Sequence, residues 1–137
     1  MPHVSRHKVQ DSTKRELEDY IASFLADTGS KARQNIFREL LTPTERLMIA
    51  KRLAMLYFIS KNVPTHRISQ TLRVSPSTVA RFETAVGAGA YSNIILWINR
   101  HSKKKRFLDF ISELIAIPFE ARHTSISKFM NERYHGR

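Results

Sequence analysis

The sequence of 137 residues contains no cysteine. This absence excludes disulfide bonds and zinc sites built on thiolates, and it is compatible with a reducing compartment. Long apolar runs are missing as well, because the longest, 54–59 and 94–98, are far shorter than the about 20 residues that a membrane-spanning helix needs. The first twenty residues have no apolar core either, so we expect neither a signal peptide nor a membrane protein.

Acidic residues are scarce: the sequence has 12 of them and 23 lysines and arginines, which gives a net charge of +11 and a pI near 10.5. An excess of this size in a short chain favours a polyanionic partner, with nucleic acid ahead of an anionic membrane surface. The alternative is a basic housekeeping protein, such as a ribosomal one. We expect a protein of the cytoplasm that is associated with the nucleoid.

A catalytic constellation is missing too. The sequence has no glycine-rich phosphate loop and no paired carboxylates on an apolar face, and its six histidines are scattered. His3 and His7 have a helical i, i+4 spacing, but they lie in a polar segment, 1–10, that we expect to be a flexible basic arm. We therefore predict no enzyme, no metal site and no cofactor.

Apolar residues recur with helical spacing along most of the chain, which predicts an all-α fold. Asp11-Ser12 offers an N-cap for a first helix that ends at Gly29-Ser30, and a short second helix follows. Thr42, Pro43 and Glu45 open a central helix over roughly 43–61 that is apolar over more than half its circumference. The expected apolar faces are Leu17, Tyr20, Ile21, Phe24 and Leu25 in the first helix, and Ile36, Phe37, Leu40 and Leu41 in the second.

The C-terminal third is also expected to be helical. The run 94–98 could be a strand by composition, but its neighbours favour helix; Phe107, Phe110, Ile111, Leu114 and Ile115 have helical spacing. A last short helix is predicted for 124–134. We divide the chain into the flexible basic arm 1–10, a helical domain 11–90, and a helical C-terminal extension 91–137.

The segment 68–82, ISQTLRVSPSTVARF, has its large hydrophobic residues spaced four, two, five and three apart. Neither one straight helix nor a strand buries such a set on one face. Two short helices that cross at a tight turn do: the first over about Thr65–Leu72, the second capped by Ser75 and begun by Pro76. This is the helix-turn-helix pattern, although a chance pair of amphipathic helices can match it. Arg73 stands where the turn usually has glycine, in a position suited to positive φ.

In such a motif the second helix, here about 75–86, lies in the major groove of double-stranded DNA. Hydroxyls near a helix N-terminus suit phosphate oxygens, and Arg81 is the long donor that can grip guanine through two hydrogen bonds. Short side chains dominate this surface, so specificity can also depend on DNA shape, water or a second subunit. The predicted DNA-binding residues are Thr65, His66, Arg67, Ser75, Ser77, Thr78, Arg81 and Thr84, with Lys103, Lys104 and Lys105 as further phosphate contacts, unless that basic run is only solvated.

The segment 40–46, LLTPTER, followed by a long helix and by SPSTVARF, resembles the tryptophan repressor family. The resemblance covers roughly 12–91 and is closest to the branch that does not sense tryptophan; the linking turn is about one residue shorter. It implies an all-helical, intertwined homodimer whose two recognition helices bind half-sites one DNA turn apart. The apolar central helix and the apolar face of the N-terminal helix agree with that expectation, because both have apolar surface that a second subunit can bury.

The resemblance also implies where tryptophan would bind. Arg52 and Arg81 match the two arginines that sandwich the indole ring in the true repressor, and Thr42 lies near that pocket. The family has a glycine after the second arginine, whereas this chain has Phe82, whose ring can occupy the ligand's place. We therefore expect no tryptophan corepressor and no small-molecule effector.

These observations predict a sequence-specific, homodimeric transcriptional regulator. Two alternatives stay open: a DNA-recognition module of a transposase or recombinase system, and a nucleic-acid-associated structural protein, including one that binds RNA. No acidic metal-binding triad follows the motif in this sequence, which argues against catalysis in the chain itself.

Overall fold

The computed structural model describes residues 8–116, and these form seven α-helices without a strand. The predicted all-α class is therefore confirmed for the described part of the chain. The helices are α1 (Asp11–Asp27), α2 (Ser30–Leu40), α3 (Pro43–Ser60), α4 (Thr65–Leu72), α5 (Pro76–Gly87), α6 (Ser92–His101) and α7 (Lys105–Ile115). The first seven residues of the predicted arm, with His3 and His7, and the helix predicted for 124–134 lie outside the described residues.

The first compact unit ends at Leu40 and contains α1 and α2. The corner between these helices is fastened by Arg33, whose guanidinium donates to the carbonyl oxygens of Leu25 at 2.7 Å and Thr28 at 2.8 Å. A cation is well placed there, because the last carbonyls of a helix have no partner inside it. The N-cap of α1 is Gln10, so the predicted cap at Asp11-Ser12 is wrong: Asp11 is already the first helical residue.

No residue of α1 or α2 is buried. The apolar face predicted for α1 is present as a helical stripe, and it is largely exposed. The apolar face predicted for α2 is partly exposed. Large apolar side chains exposed on these helices are Leu17, Tyr20, Ile21, Phe24, Phe37 and Leu40. An apolar stripe in sequence indicates that a face needs cover but does not say whose atoms supply it.

The second compact unit begins at Leu41 and is organised around α3. The predicted helix start is confirmed: the Thr42 hydroxyl accepts from the Glu45 amide at 3.2 Å, and the Glu45 carboxylate accepts from the Thr42 amide at 2.8 Å. Pro43 fills the first helical position, where its missing N–H is not needed. This reciprocal capping sets where the central helix starts.

One apolar core joins α3, α4, α5 and α7. Its buried members are Leu47, Ala54, Met55, Ile68, Leu72, Val79, Phe107, Ile111 and Leu114. Helix α6 packs on α3 and contributes the fully buried Ile98, so the run 94–98 is helical rather than a strand. The predicted domain boundary at residue 90 lies between α5 and α6, inside this compact unit. Among the described residues, no helix is long and apolar enough to cross a membrane.

Candidate nucleic-acid interface

The uneven apolar spacing of 68–82 is explained by two helices, α4 and α5, that cross at a three-residue turn. Ile68, Leu72 and Val79 have almost no exposed surface, and Val74 and Phe82 pack, half-buried, against the same core. Both predicted boundaries are confirmed, because α4 spans Thr65–Leu72 and α5 begins at Pro76 after its N-cap, Ser75.

The turn between the helices depends on a left-handed residue and a serine. Arg73 has φ 56° and ψ 51°, a conformation that costs a residue with a Cβ about 1–2 kcal/mol and that glycine adopts freely. Ser69 holds the turn from α4: its hydroxyl donates to the Val74 carbonyl at 2.6 Å, and its carbonyl accepts from the Val74 amide at 3.2 Å. The left-handed conformation expected for Arg73 is therefore present.

Hydroxyl groups surround the N-terminus of α5. The Ser75 oxygen accepts from the Thr78 amide at 3.2 Å, and it lies 2.7 Å from the Thr78 hydroxyl and 3.2 Å from the Ser77 hydroxyl. These hydroxyls therefore form hydrogen bonds with one another and with the backbone at the N-terminus of α5. Ser75 and Ser77 are exposed and Thr78 is partly buried.

The outer face of α5 is opposite the buried Val79. It consists of Ser77, Ala80, Arg81 and Thr84, at positions i, i+3, i+4 and i+7, and all four are exposed. Arg81 makes no hydrogen bond or ion pair with any residue that the structure describes. The Thr84 hydroxyl donates to the Ala80 carbonyl of its own helix at 3.0 Å. The face thus offers one long cationic donor among short side chains.

A contact that the sequence did not suggest joins the two helices. The hydroxyl of Thr65, the first residue of α4, donates to the Glu83 carboxylate of α5 at 2.6 Å, across 18 positions of the sequence. Thr65 and Glu83 are partly buried, whereas His66 and Arg67 beside them are exposed. The proton that Thr65 was expected to offer a phosphate is therefore engaged within the protein.

Replacing Thr65 with valine is expected to lower the free energy of unfolding by about 1–2 kcal/mol, because a partly buried carboxylate loses its hydrogen-bond donor. Thermal unfolding measures this effect. Thr65→Ser keeps the hydroxyl and serves as the control, with a melting temperature near that of the wild type. Equal melting temperatures for the valine variant and the wild type would show that the bond contributes nothing.

The basic run lies in the turn between α6 and α7 and on the first residues of α7. Lys103, Lys104, Lys105 and Arg106 are all exposed, and none forms an ion pair with a described residue. Lys104 is the N-cap of α7 but makes no side-chain cap. These cations are available to an anionic partner.

The residues matched to a tryptophan pocket are in different settings. The Thr42 hydroxyl is engaged in the cap of α3, Arg52 is exposed on α3, and Arg81 is exposed on α5. Phe82, which follows Arg81, packs against the core and stacks on Tyr91, with 5.5 Å between ring centroids and 25° between ring planes. Part of the Phe82 ring is therefore covered by an aromatic side chain of the chain itself.

The family model of the Trp repressor protein matches residues 15–102, well over half of the chain. The chain belongs to the Trp repressor protein family. As a member of the Trp repressor family it is a DNA-binding helix-turn-helix regulator, and α4 and α5 are the two helices of that motif. The family match runs past Tyr91, where the resemblance read from the sequence ended, and takes in all of α6. No curated protein and no solved structure matches the chain significantly.

Proposed function

We propose that the protein is a sequence-specific transcriptional regulator that binds double-stranded DNA as a homodimer, with α5 in the major groove of each half-site and without a tryptophan corepressor. The observation that carries this proposal is the outer face of α5. This face is exposed along its length and carries Arg81. The opposite side of α5 packs in the core through Val79. The major groove, about 12 Å wide, admits such a helix.

The homodimer is supported by the first compact unit. Helix α1 has 17 residues and none is buried, while Leu17, Tyr20, Ile21 and Phe24 expose between 38% and 71% of their surface along one side. A helix without buried residues is marginal in water. A second copy of the chain presents the same stripe and can cover it under twofold symmetry. The dimer then supplies the two reading helices that a palindromic site requires.

Independence from tryptophan is supported by Phe82. Its ring packs on the core and on Tyr91, and a side chain in that place restrains α5 from within the chain, as a bound ligand would from outside. Titration calorimetry of the wild-type protein with L-tryptophan is expected to show no binding heat.

Phosphate contacts are the proposed role of the exposed cations beside the motif. His66 and Arg67 lie at the start of α4, Lys103 and Lys104 lie between α6 and α7, and Lys105 is the first residue of α7. Each phosphate that a cation neutralises makes binding steeper in salt, by about 0.9 in the slope of log K against log salt. A DNA-binding regulator of this kind acts at the nucleoid in the cytoplasm, which is the location we propose.

Selection of bound fragments from a random duplex library tests the proposal, followed by affinity measurements on the selected duplex, a random duplex and a structured RNA at several salt concentrations. A selected site that binds at least about a thousandfold more tightly than random duplex supports a sequence-specific regulator. Equal affinity for all three would favour the nucleic-acid-associated structural protein instead. Selected sites that map in the genome to the ends of mobile elements would favour the transposase or recombinase module.

Replacing Arg81 with alanine is expected to weaken binding to the selected site by about 1–3 kcal/mol and to leave random-duplex binding nearly unchanged. The reason is the loss of a two-point hydrogen bond to guanine, which contributes specificity rather than bulk charge attraction. Fluorescence anisotropy on both duplexes measures the difference. Arg81→Lys is the matched control: it keeps the charge, loses the planar fork, and is expected to recover only part of the loss. An unchanged ratio of specific to random affinity would refute the guanine contact.

A further inference from the structure

We infer that α5 selects a thymine beside the guanine bound by Arg81, and that the methyl groups of Ala80 and Thr84 make this selection by contacting the thymine 5-methyl group. The inference deepens the proposed function and rests on it, since it requires α5 to lie in the major groove. It assigns specificity to two side chains that carry no charge.

The outer face of α5 has few hydrogen-bond donors. The only hydroxyl proton of Thr84 is engaged by the Ala80 carbonyl at 3.0 Å, so Thr84 has a methyl group and oxygen lone pairs left for a ligand. Ala80 has only its methyl group. Apart from Ser77, whose hydroxyl lies 3.2 Å from that of Ser75, Arg81 is therefore the side chain of this face that can donate to acceptor atoms of a base, and Ala80 and Thr84 offer apolar contact.

Among the four bases, thymine is the one that a surface of methyl groups fits. In the major groove, thymine differs from the other bases by a methyl group, and alanine and threonine methyls are suited to contact it. Cytosine and adenine instead present amino donors, and neither has a methyl group for Ala80 and Thr84 to contact. Thymine is therefore the base with which these two methyl groups can make an apolar contact in the groove.

Thr84 is spaced along α5 so that it lies close to both Arg81 and Ala80. Thr84 follows Arg81 by three positions and Ala80 by four, which places it on the same side and one turn further along. Three residues advance about 4.5 Å along a helix axis, and neighbouring base pairs are about 3.4 Å apart. The thymine is therefore expected within one or two base pairs of the guanine that Arg81 binds.

The test uses the duplex obtained by selection, with single thymines replaced by uracil. Uracil lacks only the 5-methyl group and keeps every hydrogen-bonding atom. We expect one thymine per half-site, within two base pairs of the essential guanine, at which uracil weakens binding about threefold to tenfold. Thr84→Ser removes the protein methyl while keeping the hydroxyl, and it is expected to reduce this sensitivity to uracil at the same position. Ser112→Ala, at an exposed position of α7 that is not among the predicted DNA contacts, is the control in which the sensitivity remains.

Two outcomes are distinguishable from a failure of the proposed function. A selected site that binds specifically but tolerates uracil at every thymine, or that places no thymine near the guanine, would overturn the inference and leave the regulator intact. Sensitivity to uracil that is the same in wild type, Thr84→Ser and Ala80→Gly would also overturn it, because another group would then contact the methyl. Recovery of no specific site would instead refute the proposed function itself.

Discussion

Replacing Ile21 with glutamate is expected to convert the proposed homodimer into monomers and to raise its dissociation constant at least about a hundredfold. Ile21 lies in the exposed apolar stripe of α1, which we propose a second copy covers. A carboxylate placed in such an interface loses its water without gaining a partner, and twofold symmetry introduces the charge twice. About 3 kcal/mol of lost association energy corresponds to a factor of about 100. Sedimentation at several concentrations measures the constant.

Ala22→Glu is the matched control for this experiment. Ala22 is the next residue of the same helix and is exposed, but it lies on the side away from Leu17, Tyr20 and Phe24. It adds the same charge to the same helix and is expected to leave the dimer unchanged. Affinity for a duplex with two half-sites is a second measurement, and it is expected to fall because a monomer cannot bind both half-sites at once. A dimer that survives Ile21→Glu would show that the stripe of α1 is not the interface.

Replacing Phe82 with alanine is expected to lower the free energy of unfolding by about 2–3 kcal/mol. The value is below the about 3–5 kcal/mol of a fully buried phenylalanine because Phe82 is only half-buried. Phe82→Gly, the residue that tryptophan-sensing relatives are expected to have there, should lose about 1 kcal/mol more through the flexibility of glycine inside a helix. Calorimetry would then show a melting temperature lower by roughly 10 °C for the glycine variant.

Phe82→Leu separates packing from ring stacking in this series. Leucine keeps most of the apolar volume but loses the ring contact with Tyr91, so an intermediate loss is expected. Unchanged melting temperatures across the three variants would mean that Phe82 is not part of the core. The space beside Arg81 would then be open, and binding of L-tryptophan to the wild-type protein would become the next measurement.

The fold was predictable from the sequence where local rules decide it. Thr42 and Glu45 fix the start of α3, Ser75 and Pro76 fix the start of α5, and Arg73 marks the left-handed turn. Each of these depends on a hydroxyl, a ring or a Cβ within a few residues of the backbone group that it affects. Local chemistry of this kind can be predicted from the sequence alone.

The site was predictable only in outline, because its finer features depend on contacts between distant residues. Nothing near Thr65 in the sequence indicates that its hydroxyl donates to Glu83. The apolar stripes of α1 and α2 were equally ambiguous, since periodicity shows that a face is apolar but not which molecule covers it. Likewise Phe82 was expected to be buried, and only the structure shows that Tyr91 supplies part of its cover.

Helix α7 covers part of the helix-turn-helix although it lies outside the family match. The family match stops at residue 102, yet Phe107, Ile111 and Leu114 of α7 share a core with Ile68 and Leu72, the inner side of α4. A chain cut at the end of the family match would lose the part of the core around α4 that α7 supplies. The helix-turn-helix is therefore stabilised in part by residues that follow the matched region.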